Sequence, residues 1–405
     1  MKKRLWIISE FYYPDENATG HLITEMAERL SIDDEVHVLS GPRMNQSAKI
    51  KEYSYVRNGV VVERLRASTY NKNILVLRLI NIITLSIQLL FRLLQVLYQG
   101  DHILVVTNPP SFPFIVAIVS RLKKTFYSVL LFDVYPDVLI ATGLLKDKNP
   151  LVGLMNKAAS FILIGAEHVI VLGRDVRKLV KDKYKKTENL EIIPLWGDVQ
   201  HIVPMDKKCN PILKEHSFEN NFVVLYVGNI GRTHNVELLV QCAQLLINKS
   251  DISFLFIGDG AKKKWLDNRI AELGLCNIKT HTFYSRTRQS DVHSAGDIAV
   301  VSFIPGMAGI SVPSRMYNIM AGGKPILAIA DEKSELAMVV REENIGWVIS
   351  SYNAQDVVDV ILTAKNKETE LLEMGARARK VVEEKYTLER IILRYKNLIL
   401  YDNNR

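Results

Sequence analysis

The chain has 405 residues, of which 48% are hydrophobic and 24% charged, and its formal net charge is +8. This composition fits a globular protein with a sizeable core, and the length predicts two domains or more, because single cores stop growing at about 250–300 residues. The basic balance suits nucleic acid, anionic lipid or phosphorylated ligands, but no zinc-finger, RRM or KH pattern is present, so we expect no nucleic-acid partner.

The first half of the chain alternates predicted strands and helices. A short apolar run at residues 5–9 predicts a first strand rather than a signal peptide, because Glu10 follows at once and no cleavage site is visible. Helical spacing follows in GHLITEMAERL and in FPFIVAIVSRL. Further strands are predicted in EVHVLSG, VVVERL, HILVVTN, SVLLFD, HVIVLG and LEIIPLWG. Strands interleaved with helices predict parallel α/β units.

One long apolar stretch, residues 74–98, is of a different kind. It is long enough to cross a bilayer, which needs about 20 apolar residues, but Arg78 and Arg92 interrupt it. Residues 64–124 contain eight Lys or Arg and one acid, Asp101. We therefore expect a basic amphipathic helix that lies in the membrane interface. A helix buried in the N-terminal domain and a true span are the alternatives, and arginine makes a span costly.

The composition changes at residues 204–221, a polar stretch with two prolines that we interpret as a linker. A second α/β series follows, with strands in FVVLYVGNIG, SFLFIGDG, DIAVVSF, KPILAIA and GWVIS. The prediction is an α/β protein with two Rossmann-like domains, residues 1–203 and 222–385, that face each other across a ligand cleft. Residues 386–405 are predicted as a C-terminal helix that packs back toward the first domain.

Three cysteines, Cys209, Cys242 and Cys276, match no metal or disulfide spacing and favour a reduced, intracellular setting. No paired carboxylates occur in a suitable loop, since Asp33 and Asp34 belong to a helix-to-strand turn. We therefore expect neither a metal nor a cofactor.

The segment GISVPSRMYNIMAGGKP, residues 309–325, predicts a short apolar helix with a polar beginning. A helix N-terminus exposes unpaired N–H groups and carries about half a positive charge, so it suits phosphate. Ser311 and Ser314 would cap this helix or donate to phosphate oxygens. Arg315 in the first turn opposes the helix dipole unless an anion is bound there. An ordinary capped helix with an exposed arginine is the alternative.

Two loops strengthen the phosphate interpretation. In YVGNIGRTHN, residues 226–235, Gly228 and Gly231 would let the backbone approach a ligand, and Arg232 offers a forked donor to a diphosphate. The turn contains neither GxxxxGK[ST] nor GxGxxG, so ATP hydrolysis and NAD chemistry are disfavoured. In the first domain, the loop before Gly20 would close over the ligand, unless it is a plain connection from strand to helix.

Together these motifs resemble the retaining glycosyltransferases of family 4, which have the GT-B fold. The resemblance covers nearly the whole chain. It is carried by the Gly20 loop and by NPPSFPFIVAIVSRL, LLFDVYPDVLIATG, LYVGNIGRTHNVELLV, LFIGDGAKKKWL and VPSRMYNIMAGGKPILA. The segments FDVYPD and VPSRMYNIMAGGKP look most like the bacterial surface-polysaccharide subgroup that includes N-acetyl-L-fucosamine and colanic acid transferases.

The resemblance implies that the second domain binds a nucleotide sugar and the first binds the acceptor. Arg232 would grip the diphosphate and stabilise the charge of the leaving group without a metal. His234 stands where the family often has lysine, so a permanent charge becomes a titratable one. The donor-binding residues implied in this way are Gly20, Gly231, His234, Phe283, Ser311, Ser314, Arg315 and Asn318.

Two positions depart from the family pattern. The family's Glu-x7-Glu pair falls at Ile310 and Asn318. Asn318 would still bond a ribose hydroxyl, whereas Ile310 cannot contact the sugar as glutamate does. The backbone near Phe283 would meet the base. Asp133 stands where many relatives have histidine and would orient the acceptor hydroxyl or take its proton, with capping of the turn before Pro136 as its structural alternative.

The resulting prediction is a metal-independent, retaining glycosyltransferase of O-antigen or capsule synthesis. It would move an N-acetylated or deoxy amino sugar from a UDP-linked donor to a polyprenyl-diphosphate-linked saccharide. The expected location is the cytoplasmic face of the inner membrane, held by an anionic lipid surface. The alternatives are a catalytically silent scaffold that binds nucleotide sugars, and a UDP-sugar 2-epimerase.

Overall fold

A computed structural model describes most of the chain: residues 4–15, 17–42, 53–71, 74–185 and 188–400. Glu16 of the predicted Gly20 loop, Lys72 of the basic stretch and the last five residues of the predicted C-terminal helix lie outside this part. The chain forms two compact units. The first comprises Met1–Asp137, Leu145–Ile193 and Ile391–Arg405, and the second comprises Val138–Leu144 and Pro194–Arg390.

Unit 1 is built on an eight-stranded sheet in the order β3-β4-β2-β1-β5-β6-β7-β8. Every neighbouring pair is parallel except β3 and β4. The strands are β1 (Arg4–Ser9), β2 (Glu35–Ser40), β3 (Ser54–Arg57), β4 (Val60–Arg64), β5 (His102–Val106), β6 (Phe126–Leu131), β7 (His168–Val171) and β8 (Leu190–Ile192). The helices of this half of the chain are α1 (Ala18–Leu30), α2 (Leu75–Val96), α3 (Ser111–Lys123), α4 (Asp137–Ala141), α5 (Pro150–Gly165) and α6 (Arg174–Tyr184).

Unit 2 is built on a six-stranded parallel sheet in the order β11-β10-β9-β12-β13-β14. Its strands are β9 (Phe222–Val227), β10 (Ile252–Ile257), β11 (Ile278–His281), β12 (Ile298–Ser302), β13 (Ile326–Ile329) and β14 (Gly346–Ile349). The helices of this half are α7 (Pro211–Glu215), α8 (Val236–Leu245), α9 (Lys263–Leu273), α10 (Gln289–Ser294), α11 (Arg315–Ala321), α12 (Glu335–Glu342), α13 (Ala354–Lys365), α14 (Glu368–Lys385) and α15 (Leu388–Tyr395).

The central strands are apolar at nearly every position because both faces of a parallel sheet are covered by helices. Every residue of β9 and of β10 is buried. Each sheet also has a point where the chain changes the direction in which it adds strands. This switch point lies between β1 and β5 in unit 1 and between β9 and β12 in unit 2. Open α/β sheets bind ligands in the crevice that the diverging loops leave there.

The segment predicted as a linker, residues 204–221, belongs to unit 2 rather than connecting the units freely. It contains a 3₁₀ turn, Lys207–Cys209, and α7. Ile212 and Leu213 are fully buried in a cluster with β9 and β10. The polar composition of the segment hides this short apolar anchor.

The C-terminal segment is part of unit 1. Arg394 Nη2 donates to the carbonyl of Ile192 over 2.5 Å, and Lys396 forms an ion pair with Asp33. Ile399 is buried. The last described residues of the chain therefore pack beside α1 and β8.

Helix α2 buries one apolar stripe and exposes further apolar side chains on its other side. Leu85, Leu89 and Leu93, spaced four residues apart, are buried, and α2 packs against α3. Ile83 and Phe91 on the other side are 56% and 59% exposed. A helix buried on all sides does not fit these exposures. Within the described residues, only the Val76–Val96 part of this helix is long and apolar enough to cross a membrane.

Not all of the basic stretch is available to a partner. The side chains of Arg64 and Asp15 are each 1% exposed and form an ion pair of 3.2 Å. The guanidinium of Arg64 also donates to Ser40 Oγ and to the carbonyls of Gly41, Tyr12 and Tyr13. Arg64 thus fixes the loop that leaves β1 at the switch point of unit 1.

We expect Arg64→Met to lower the free energy of unfolding by about 3–5 kcal/mol, because it leaves the buried carboxylate of Asp15 without its cation. Urea denaturation measures this loss. Arg66→Met is the matched control, since Arg66 is exposed and its guanidinium lies over the Tyr53 ring without an ion pair to any described residue. Equal stabilities of the two variants would show that the buried ion pair does not hold this loop.

Candidate functional site

Arg315, the first residue of α11, is held against the loop that follows β9. Its Nη2 donates to the carbonyl of Asn229 over 3.0 Å and to His234 Nε2 over 2.8 Å. Its Cζ lies 4.8 Å from the centroid of the Tyr226 ring, and the Tyr226 hydroxyl donates to the same Asn229 carbonyl over 2.7 Å. The guanidinium is therefore fixed in place, unlike an exposed arginine on an ordinary capped helix.

His234 is buried and has a defined tautomer. Its side chain stacks on Phe303 with 5.3 Å between ring centroids, and its Nδ1 lies 3.1 Å from the carbonyl of Ser302. A carbonyl only accepts, so Nδ1 carries the hydrogen, and Nε2 accepts because a guanidinium only donates. Burial, followed by the nearby charge of Arg315, holds the pKa of His234 well below its usual value. His234 is therefore neutral near pH 7 and does not replace the family's lysine as a cation.

The guanidinium of Arg315 retains unused donors at Nη1. Nη1 is buried and has no hydrogen-bond partner among the described residues. A buried donor without a partner costs about 1–3 kcal/mol, and more when the group is charged. An anionic ligand that supplies an oxygen would remove this cost. The site is therefore suited to bind an anion beside Arg315.

Two glycines bring the ends of β9 and β10 close together at this point. Gly228 has φ +119° and faces the guanidinium, since a Cβ there would lie 3.2 Å from Arg315 Cζ. A Cβ on Gly258 would lie 1.9 Å from the carbonyl oxygen of Gly228. Larger residues would push the strand ends apart and displace Arg315. The predicted Gly231 is buried in the same loop.

The other predicted phosphate ligands are available. Arg232 follows Gly231 and is exposed, without a hydrogen bond or ion pair to any described residue. Ser314 is the N-cap residue of α11 but its side chain makes no capping bond. The half-buried Ser311 likewise bonds to no described side chain. Their hydroxyls are thus free to donate to a ligand.

The other positions that the family resemblance assigns to the donor in unit 2 differ in burial and in hydrogen bonding. Asn318 Oδ1 accepts from the backbone N–H of Asp198 over 3.0 Å, so its carbonyl oxygen is already used. Ile310 is buried and presents no group to a sugar. Phe283 lies in the loop after β11 and is 59% exposed.

Two residues that organise this region carry no sequence signal. Asp331 accepts from the backbone N–H groups of Gly306 and Ala308, at 3.2 and 2.9 Å, and so fixes the loop after β12. Arg379 of α14 donates to the carbonyls of Ile202, Ala321 and Val199 and so fixes the end of α11. Only the folded chain shows these contacts, because each joins residues far apart in sequence.

In unit 1, Asp133 is the second residue after β6 and lines an apolar cavity of about 430 Å³, counting its mouth open to solvent. Thr107, Ile162 and Tyr184 also line this cavity. Burial and then the charge of Asp133 raise the pKa of the neighbouring Tyr135 to about 12, so this phenol stays protonated near neutral pH. Asp133 is the carboxylate among the lining residues.

Gly20, one of the predicted donor-binding residues, helps to cap helix α1. Its N–H donates to Asn17 Oδ1 over 2.8 Å and so caps α1. A Cβ at this position would lie 2.8 Å from the carbonyl oxygen of Asp15. The glycine therefore lets the loop after β1 pack on the helix, while its amide is not free for a ligand.

Comparison with known proteins identifies the class. Residues 211–381 match the family described as Glycosyl transferases group 1. Over 393 residues the chain is 25% identical to the "Probable glycosyltransferase WbjE" of Pseudomonas aeruginosa, covering 95% of this chain and 94% of that one. Over 181 residues it is 25% identical to the "Putative colanic acid biosynthesis glycosyl transferase WcaI" of Escherichia coli (strain K12), covering 44% of each chain.

The fold agrees with this class. HepE of Anabaena, solved in complex with UDP, superimposes with a TM-score of 0.73 at 13% identity, covering 98% of each chain. The fold is GT-B, and the prediction of an α/β protein with two Rossmann-like domains is confirmed. The chain is a glycosyltransferase, and its residues 211–381 match the group 1 family.

We expect Gly258→Ala to destabilise the protein far more than Gly274→Ala. Gly274 has φ +61°, and no described residue other than its chain neighbours comes within 4 Å of the place that a Cβ would take there, so alanine costs about 1–2 kcal/mol of backbone strain. Alanine at 258 adds a collision with the Gly228 carbonyl, and we expect a further loss of at least about 3 kcal/mol. Thermal unfolding of the two variants measures the difference. Equal losses would show that the two strand ends are not tightly packed.

Proposed function

We propose that unit 2 binds a nucleotide sugar and that Arg315 and Arg232 hold its diphosphate. The observation that carries this proposal is the fixed guanidinium of Arg315, whose buried Nη1 has no partner among the described residues, beside Gly228 at the end of β9. The free hydroxyls of Ser311 and Ser314 supply further donors. The UDP complex of the structurally similar HepE supports a uridine nucleotide as the donor.

The reaction transfers the sugar from the diphosphate to an acceptor hydroxyl. The hydroxyl oxygen bonds to the anomeric carbon while the bond from this carbon to the diphosphate oxygen breaks, and the hydroxyl proton passes to the departing diphosphate. Negative charge grows on the diphosphate as it leaves, and fixed cationic donors stabilise that charge. On this basis we propose a metal-independent reaction, with the retention of configuration that the resemblance to family 4 implies.

Unit 1 is proposed to bind the acceptor, with Asp133 orienting its hydroxyl. A carboxylate at the edge of an apolar cavity suits this role, because a single charged acceptor in such surroundings directs one hydrogen bond strongly. The name of the relative WcaI supports bacterial polysaccharide biosynthesis as the process. A saccharide linked to polyprenyl diphosphate, in O-antigen or capsule synthesis, is the acceptor that we propose.

We expect Arg315→Ala and Arg232→Ala each to lower kcat/KM by at least about a hundredfold, since each removes a charged donor to the leaving diphosphate. The assay incubates a panel of radiolabelled nucleotide sugars with bacterial membranes that carry the lipid acceptor. Lys249→Ala, on the exposed turn after α8, is the control and should transfer at the wild-type rate.

Three outcomes contradict this proposal. Full transfer by both arginine variants would place the diphosphate elsewhere. Binding of a nucleotide sugar without transfer, in the presence of a verified acceptor, would indicate a silent scaffold. Isomerisation of the nucleotide sugar without any acceptor would indicate an epimerase.

We further propose that the exposed stripe of α2 binds the cytoplasmic face of the inner membrane. Val76, Ile83 and Phe91 expose apolar side chains on this stripe. Lys123 and Lys124 add positive charge at the end of α3, the helix that packs against α2. Apolar side chains combined with basic residues suit an anionic lipid surface.

We expect the double variant Ile83→Glu, Phe91→Glu to bind vesicles of phosphatidylglycerol at least tenfold more weakly than the wild type, because two exposed apolar side chains that would enter the lipid surface become charged. Co-sedimentation with the vesicles measures binding. Ile32→Glu is the matched control, since Ile32 is 60% exposed in unit 1 but lies just after α1. Undiminished binding of the double variant would exclude α2 as the membrane contact.

A further inference from the structure

We propose that His234 is a positioning residue for the donor site. It accepts a hydrogen bond from Arg315 and thereby fixes which nitrogen of the guanidinium meets the diphosphate. This inference rests on the proposed diphosphate site. It assigns His234 a different role from a direct ligand of the donor, which is the role that its position in the family pattern implies.

Two successive hydrogen bonds, joined by the imidazole of His234, cross the switch point of unit 2. The first is to the carbonyl of Ser302, the last residue of β12, which accepts from His234 Nδ1 over 3.1 Å. In the second, Nε2 of the same imidazole accepts from Arg315 Nη2 over 2.8 Å. Because both ring nitrogens are used inside the protein, the imidazole offers no further polar atom to a ligand.

The hydrogen bond from Arg315 Nη2 to His234 Nε2 determines which guanidinium nitrogen can still donate to a ligand. Nη2 is used by His234 and by the Asn229 carbonyl, so Nη1 is left as the donor without a described partner. Without the histidine acceptor, the Asn229 carbonyl would be the one acceptor left to the guanidinium among the described residues, and the guanidinium could rotate about that single hydrogen bond. Fixing this rotation in advance lowers the entropic cost of binding the diphosphate.

Groups around the imidazole keep it in the accepting state. Phe303 stacks on one face, and the Tyr226 ring meets it edge-on with 6.4 Å between centroids. The charged groups nearby are Arg315 and Lys262, whose Nζ donates to the His234 carbonyl over 2.8 Å and also pairs with Glu237. A proton on Nε2 would face a guanidinium in a buried pocket. Lysine at this position would meet the same repulsion.

The test compares three substitutions at this position. His234→Phe preserves the stacked ring but removes the acceptor, His234→Gln restores an oxygen acceptor near Nε2, and His234→Lys adds a cation. The probe is the nucleoside diphosphate that binds the wild type best in a panel of UDP, GDP, ADP and dTDP, with its nucleoside as reference. Calorimetry gives Kd for both ligands.

We expect His234→Phe to raise the Kd of the diphosphate at least tenfold, which corresponds to about 1.4 kcal/mol, and to leave the Kd of the nucleoside unchanged. His234→Gln should recover most of this loss, and His234→Lys should bind more weakly than His234→Phe. His293→Phe is the matched control, because His293 is also buried in unit 2 and its Nδ1 has no described partner. The donor KM should follow the same order, with kcat changing less.

A double-mutant cycle separates positioning from direct contact. In the Arg315→Ala background, His234→Phe should cause no further loss of diphosphate affinity, because the group through which it acts is absent. Nitrogen-15 NMR of the histidines should show a neutral His234 with hydrogen on Nδ1 at pH 7 and still at about pH 6.5, where an ordinary histidine is half protonated, since its pKa lies well below its usual value.

The outcomes distinguish this inference from the proposed function. If no nucleoside diphosphate binds, or if Arg315→Ala binds it as the wild type does, the donor site itself is wrong. If Arg315→Ala weakens binding but His234→Phe does not, the positioning role is wrong. Additive losses in the double variant, or a charged His234 at pH 7, would also overturn it.

Discussion

The site depends on one constraint: a cationic side chain must stay fixed inside the protein while one of its donors remains unused. Arg315 meets this constraint through acceptors on the loop after β9 and through the ring of Tyr226. Glycine at 228 is required for the guanidinium to come so close. The strand order, the glycine at 228 and the position of α11 together bring Arg315 and its hydrogen-bond acceptors to the same end of the sheet.

The sequence predicts the fold well where burial leaves a clear pattern. Continuous apolar runs identify β9 and β10, which are buried on both faces. The edge strands β3 and β11 give no such signal, because Ser54–Arg57 and Ile278–His281 include exposed polar residues. Polar composition also hides the buried anchor at Ile212 and Leu213. Short segments with mixed burial are therefore the part of the fold that pattern reasoning cannot recover.

The candidate site is predictable in its residue types but not in their hydrogen bonds. Spacing and chemistry point to Arg315 and to the glycine turn before it. They do not show that His234 is neutral or that Asn318 Oδ1 already accepts a backbone hydrogen bond, because both facts depend on neighbours distant in sequence. The contacts of Arg64 and Asp331 are equally invisible, since a charged residue is assigned to the surface unless its partner is known.

The path of the chain through the two units has a consequence for synthesis on the ribosome. The eight strands of unit 1 are all translated once Ile192 has been made, so its sheet can assemble early. Its last segment, Ile391–Arg405, emerges only after the whole of unit 2. Until then, the carbonyl of Ile192 and the carboxylate of Asp33 lack the partners that Arg394 and Lys396 supply in the finished protein. Unit 1 is thus translated first but completed last. A nascent chain released before residue 391 would lack the segment that contacts Ile192 and Asp33.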